Sequence, residues 1–431
     1  MKTISSQPPA GQNSPRQTTT GQTITGQTTG GSSGNPGPGI QRKELLGFLF
    51  FGHFVIHWFQ QMLPMFVPML KADLGLTDIQ VGGMTTAKQA ASGVLTLPSG
   101  IMADAFVKHR PVLLGLAILL GGVAYLLVSI SPIYSLVLLS LFLVGASSAF
   151  WHPPAVSSLS AFFPQHRGTA LALHGVGASV GDSIGPLCIG GLLLLMSWQR
   201  LAQWHILPAV ILGLMVWAST RRFFADEADR LDFSAYRSGL ADLARHPSVF
   251  AVMGASSLVG MARLSTVTFL PLYLVEDQGY SSVGLGFHWM LLYVMGTISQ
   301  PVMGIVSDKF SRKTVLLPAF SIMGILYLIL PSAGKGIELA LVIAAMGAFF
   351  YGTGNIATAA VLDVASRQIQ GTTNSIMSLF QQVITLPSPI IAGYIATEFG
   401  LSAVFYFCAA LLSLATLAWV FIRLTPRSSA A

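Results

Sequence analysis

From residue 45 to residue 424 the chain is one apolar stretch after another, each about twenty residues or longer and each closed by a short polar turn. No other feature limits the fold so tightly. A hydrocarbon bilayer offers no partner to backbone N–H and C=O groups, so a stretch of this kind satisfies them within an α-helix. The stretches are too long for the strands of a membrane barrel and lack their alternating polarity. The predicted fold class is an all-α membrane protein with twelve transmembrane helices, at 45–70, 79–103, 111–130, 134–160, 168–196, 202–222, 247–275, 281–307, 313–331, 337–364, 371–396 and 400–424. Charged residues make up 9% of the chain, against roughly 25% in a soluble domain, which excludes a soluble enzyme or a nucleic-acid-binding domain.

Residues 1–40 are a different material, rich in Gly, Ser, Thr, Gln and Pro, and they predict a disordered cytoplasmic tail. The net charge of +7 sits mainly in the turns. With the N-terminus in the cytoplasm, sixteen Lys and Arg residues from Arg42 onward fall on the cytoplasmic side, against Lys71, Arg200 and Lys335 on the other. That asymmetry predicts a multi-pass protein of the cell (inner) membrane with both termini cytoplasmic. Cys188 and Cys408 lie inside apolar runs and read as small core hydrophobes.

The charged stretch 223–246 reads as a cytoplasmic linker between two bundles of six helices, 41–222 and 247–431. The two halves repeat each other. Gly100 and Asp104 recur as Gly304 and Asp308 at an offset of 204, each pair followed by basic residues. Gly145 and Gly347 are offset by 202, and Gly168/Gly371 and Pro186/Pro389 by 203. A nearly constant offset over four helices indicates an internal duplication.

Twelve helices in two similar halves around a charged central loop resemble the major facilitator superfamily. The turn after the second helix, Gly100-Ile-Met-Ala-Asp104-Ala-Phe-Val-Lys108-His109-Arg110, is similar to that superfamily's glycine–acid–basic motif, with Ala105 and Val107 where a basic residue and a second glycine are usual. Residues 52–191 resemble the fosmidomycin-resistance family of efflux proteins. The resemblance rests on His53, Leu63-Pro64, Gly145 through Phe150-Trp-His152-Pro153, Gly175-Val-Gly177 and Ser183-Ile-Gly185-Pro186. Ile56 and His57 stand where that family tends to carry Asn-Asp. The run Gly181 through Gly185-Pro186 to Gly190-Gly191 is similar to an antiporter signature, and as a stripe of small residues it also permits close helix packing.

Ionisable groups within membrane helices are costly and are candidates for function. Lys88, Asp182, Arg263 and His57 are such groups. Arg263 reads as a binder of substrate anion or as half of a structural ion pair; the resemblance implies a place in the central cavity. Asp182 is a candidate proton carrier, and Lys88 a ligand contact or a partner of Asp182. The first helix carries a polar stripe of His53, His57, Gln60, Gln61 and Pro64 at spacings of four, three, one and three. His53 and His57 at i and i+4 can share a metal, but no third ligand follows at motif spacing, so no metal is expected. Together with His152, beside Pro153 and Pro154, they read as a cavity wall or as packed, hydrogen-bonded histidines. Tyr351, Gly354, Asn355 and Thr358 share a face of the tenth helix, and Asn374, Gln381 and Gln382 lie on the eleventh; these bind substrate or join helices. Gly100, Asp104, Arg110, Gly304, Asp308 and Arg312 are read as conformational latches, as the superfamily resemblance implies, and Asp363 as a similar end group.

The chain contains no nucleotide loop, no His-Glu-x-x-His and no exposed nucleophile motif, so neither an enzyme nor a cofactor is expected. The expectation is a monomeric secondary transporter working by alternating access, exporting a small, anionic organic compound in exchange for protons. Uptake or exchange of an organic anion, and a receptor or scaffold on a transporter fold, remain alternatives. The lipid bilayer, protons and a small molecule are the expected partners, and nucleic acid is not.

Overall fold

The computed structural model describes residues 38–224, 247–364 and 370–422. The predicted tail lies outside them up to residue 37 and the linker from residue 225, as do the side chains of Asp363 and Asn374. The described chain is helical, without strands. α1 is Pro38–Leu74, α2 Asp78–Ala105, α3 Arg110–Ile130, α4 Tyr134–Phe162 and α5 Arg167–Leu192. α6 is Trp198–Trp204 continued by Ile206–Thr220, and α7 is Pro247–Leu272 ending in a π-helical turn, Tyr273–Asp277. α8 is Ser282–Lys309 and α9 Arg312–Ile329. α10 is Ile337–Phe350 with Gly352–Val364, α11 is Gln370–Thr385 with Ser388–Phe399, and α12 is Leu401–Phe421. The boundaries agree with those read from the sequence to within a few residues, except that α1 begins at Pro38, inside the predicted tail.

Nine of these helices are long and apolar enough to cross a membrane. The three that fall short on polarity are α1, α2 and α5, and they carry His53, His57, Lys88, His174 and Asp182. The outer surface is apolar. Leu195 is 78% exposed and Phe421 74%, with Leu207, Ile305 and Ile337 similarly bare. Water would penalise such a surface and lipid does not. Cys188 corrects the sequence reading: it is exposed, whereas Cys408 is buried. In a bilayer the outside is as apolar as the inside, so an apolar run does not by itself imply burial.

The duplication is visible in the packing. α1 packs on α5 as α7 does on α11, α2 on α4 as α8 on α10, and α3 on α6 as α9 on α12. The most extensive contacts between the halves are α2 with α11 and α5 with α8, with smaller ones from α1 to α7 and α8 and from α2 to α7. The two most extensive rest on glycines with no room for a Cβ: Gly82 lies against the carbonyl of Pro389, and Gly286 against that of Pro186. Gly393 lies likewise against Asp78, and Gly190 against Ser282. Each pair of contacts is related by the sequence offsets, 204 from residue 82 to 286 and from 78 to 282, and 203 from 186 to 389 and from 190 to 393. The turns entering α2 and α8 repeat too. Gly75 and Gly279 adopt left-handed φ values of 61° and 63°. Two residues on, the side chains of Thr77 and Ser281 cap the helices by accepting from the backbone N–H groups of Gln80 and Gly284.

This same end is closed by charge. The Lys71 ammonium donates to Asp78 at 2.6 Å and, across the halves, to Glu276 on the π turn at 2.8 Å. At the other end, the ion pairs among the described residues include Arg110 with Asp104 at 3.7 Å, and Arg312 with Asp308, each within a half. Asp104 and Asp308 are both exposed. Among the described residues, the glycine–carbonyl contacts between the halves and the Lys71–Glu276 pair thus lie at the same end.

Candidate functional site

Between the halves lies a cavity of about 450 Å³. Its walls come from α1, α2, α4, α5, α7, α8, α10 and α11. Of the residues singled out in the sequence, His57, Gln60, Lys88, His152, Asp182 and Tyr351 line it. Gln61, Pro64 and Gln382 do so as well, which places most of the α1 stripe on one wall.

The carboxylate of Asp182 is held by two neighbours. His57 Nδ1 donates to Oδ2 at 2.9 Å, and Gln61 Nε2 donates to Oδ1 at 2.5 Å. Gln61 in turn accepts from the indole N–H of Trp289 on α8 at 2.8 Å, so the network crosses between the halves. The approach of α1 to α5 that permits this comes from the small residues of α5: Gly177 and Gly181 lie against the carbonyls of Phe50 and Phe54. That confirms the packing role of the glycine stripe.

Lys88 does not meet Asp182 in an ion pair. Its Nζ donates to the carbonyl of Gln60 at 3.4 Å, and among the described residues no carboxylate lies within ion-pair distance. Its backbone is fixed by Gly145 of α4, which lies directly against the Lys88 carbonyl. An ammonium within a membrane protein costs about 2.5–3.5 kcal/mol on insertion scales. Here a polar cavity wall carries it: Thr85, Gln89, Ser92 and Thr96 of α2 line the same cavity. The sequence reading missed this stripe, although its spacings of three, one, three and four around Lys88 were legible.

His53 is buried behind His57 and does not line the cavity. Its Nε2 lies 3.3 Å from His152 Nε2, and its Nδ1 donates to the carbonyl of His174 at 2.8 Å. A ring nitrogen of each of His53, His57 and His152 lies within 4.8 Å of the others. A search along the sequence finds no third ligand; the fold brings one from α4. His174 of α5 was also missed. Its ring stacks on His53 with centroids 3.9 Å apart and planes 10° apart, a contact that no spacing along the chain encodes.

Two expected placements need correction. Arg263 is not among the cavity-lining residues. Its guanidinium lies over the rings of Tyr351, at 4.6 Å, and Phe350, at 5.2 Å, beside a crevice of about 10 Å³. The aromatic faces attract the cation, and Tyr351, tilted against Tyr293, lines the cavity together with it. Asn355 is exposed and does not line the cavity either. The latch residues stand at helix ends as the motif implied, but the two copies differ: a Cβ on Gly100 would touch Pro153, whereas none lies near one on Gly304. Arg110 donates to the carbonyl of Ala103 at 2.7 Å and Arg312 to the hydroxyl of Ser307 at 2.7 Å.

A polar cavity enclosed by apolar helices from two repeated halves defines a membrane transporter, not an enzyme. The chain belongs to the Major Facilitator Superfamily, whose model matches residues 49–383 and 286–431. It is 25% identical to the fosmidomycin resistance protein of Escherichia coli over 67% of this chain and 71% of that one. It is 24% identical to a probable sulfoacetate transporter of Cupriavidus necator over 89% and 94%, and 21% identical to a probable nitrate transporter of Staphylococcus aureus over 60% and 64%. Among solved structures, a bacterial homolog of the human lysosomal transporter Spinster, inward-facing and unoccupied, superposes with a TM-score of 0.70 at 16% identity, covering 90% of this chain and 99% of that one.

Proposed function

We propose that this chain is a proton-coupled exporter of small organic anions, working by alternating access in the cell's inner membrane with both termini in the cytoplasm. One observation carries the anion reading: the Lys88 ammonium lines the cavity and, among the described residues, donates to a carbonyl and to no carboxylate, while Asp182 is already engaged by His57 and Gln61. A cation held in a low-dielectric cavity attracts an anionic cargo. Sulfoacetate and nitrate, named for two relatives, are anions. Of the two cations that the sequence offered as ligand contacts, Arg263 and Lys88, this reading takes Lys88. Protons are the coupling ion in this reading because the sequence has no nucleotide-binding loop and resembles the fosmidomycin-resistance efflux family. With the positive-inside rule setting the sides, the closed end is extracytoplasmic and this conformation faces inward. Asp104 and Asp308 then exchange partners across the halves when the cytoplasmic end closes.

The test is the full-length protein in liposomes under an imposed pH gradient, with an internal pH dye and additions of sulfoacetate, nitrate, a phosphonate and a cationic drug. Proton movement evoked by the anions and abolished by Lys88→Ala is the expected result. Flux evoked by the cationic drug and retained in Lys88→Ala, or no response to any anion, overturns the reading.

A further inference from the structure

His57 and His152 of the cavity wall, and His53 buried behind them, are oriented in a way that anion transport does not explain. A carbonyl oxygen can only accept a hydrogen bond, so the ring nitrogen bonded to it carries the proton. His53 Nδ1 faces the carbonyl of His174 at 2.8 Å. His152 Nδ1 faces the carbonyl of Ser148 at 2.8 Å. His57 Nδ1 faces the Asp182 carboxylate at 2.9 Å. Each neutral ring is therefore fixed as the Nδ1–H tautomer, and each has an Nε2 lone pair left over. The Nε2 atoms of His53 and His152 lie 3.3 Å apart, and in these tautomers neither carries a proton. Two lone pairs at that distance repel unless a cation sits between them.

We propose that His53, His57 and His152 form a binding site for a late first-row divalent metal ion, Zn²⁺ foremost. The geometry fits. Zn–N bonds of about 2.0–2.1 Å at a tetrahedral angle place two ligand nitrogens about 3.3 Å apart, which is the His53–His152 separation. The third imidazole lies within 4.8 Å of both and closes to a three-ligand set by a modest ring movement. Neutral imidazoles suit Zn²⁺, Ni²⁺ and Cu²⁺. The outer shell is already in place: two backbone carbonyls and one carboxylate, of the kind that holds ligating histidines in orientation. His174 stacks flat on His53 and stiffens the buried side. His57 and His152 line the cavity, so an ion has a path in, and a fourth coordination position faces the cargo space. There it accepts water or an anionic oxygen. Beside Lys88 the bound ion makes this wall more strongly electropositive. The metal site stands whether or not the cargo is an anion.

The test uses untagged, full-length protein stripped with a chelator and equilibrated with Zn²⁺ alone, with metal measured by mass spectrometry. One Zn²⁺ per chain at micromolar concentration is expected. His53→Ala, His57→Ala and His152→Ala each weaken binding by about a hundredfold, and Asp182→Asn by about tenfold to a hundredfold. His109→Ala, on the exposed turn before α3, leaves it unchanged. Thermal melting of each apo variant checks the fold. A measurement that needs no variant is X-ray absorption of the Zn²⁺-loaded wild type, which should show three imidazole nitrogens at about 2.0–2.1 Å. No binding by the wild type at millimolar Zn²⁺, binding retained in the His53→Ala/His152→Ala double variant, or a first shell without three imidazoles overturns the proposal. In each of those outcomes the facing Nε2 atoms share a proton instead.

Discussion

The two halves of this transporter are built to one packing plan and differ in chemistry. Their helix pairings repeat, and the four glycine–carbonyl contacts that close one end are two pairs related by the duplication offset. The cavity walls do not repeat. The first half contributes His57, Lys88, His152 and Asp182, while the second contributes Tyr293, Tyr351, Ser378, Gln382, Leu264 and Val267. Among the described residues, the charged ones lining the cavity, Lys88 and Asp182, come from one side. The second half keeps its cation, Arg263, off the cavity and over aromatic rings. Packing is constrained wherever backbones touch, so both copies preserve it. A side chain facing a water-filled space is free to change, so the chemistry of one copy can depart from the other.

The sharpest test of this asymmetry is to remove the cavity cation. Lys88→Ala should lower anion transport about a hundredfold, or about 3 kcal/mol, the scale for deleting one partner of a buried charge pair. Initial rates in proteoliposomes measure it. The symmetry of the packing is tested next by giving Gly82 and Gly286 a methyl each. Gly82→Ala and Gly286→Ala should both open the closed end by about 2 kcal/mol, roughly thirtyfold in the conformational ratio. Thiol labelling of a cysteine placed in the cavity would report the change. A large effect at one glycine and none at the other would break the comparison. Arg263→Ala should cost only about 1 kcal/mol, roughly fivefold in KM, because the cation acts through Tyr351. An effect as large as that of Lys88→Ala would return Arg263 to the binding site. Least is expected of Glu276→Gln, which removes the cross-half partner of Lys71: about a threefold shift, fading with added salt, in line with a half-exposed pair.

Much of the fold was legible because a bilayer leaves a chain few options. Runs of apolar residues became helices with nearly the predicted ends, and the stripe of α1, apart from the buried His53, faced the cavity. Individual placements were harder. Arg263 sits at membrane depth on α7, but rotation about the helix axis and the presence of two aromatic rings decide that it turns away from the cavity. Asn355 lies four residues beyond Tyr351 and yet is exposed and does not line the cavity. Cys188 lies in an apolar run and faces outward, because lipid and protein core are alike to a hydropathy argument.

The sequence by itself determined the solvent, the helices, the duplication and the set of polar groups placed where they are costly. Those follow from composition and periodicity, which are properties of the chain read in order. Only the tertiary structure decided which of those groups meet. Asp182 chose His57 over Lys88, and His152 and His174 arrived beside His53 from α4 and α5. Such meetings join positions 99 to 125 residues apart in the chain. They are set by the close approach of α1 to α5 and by how each helix is turned, and no local pattern records either.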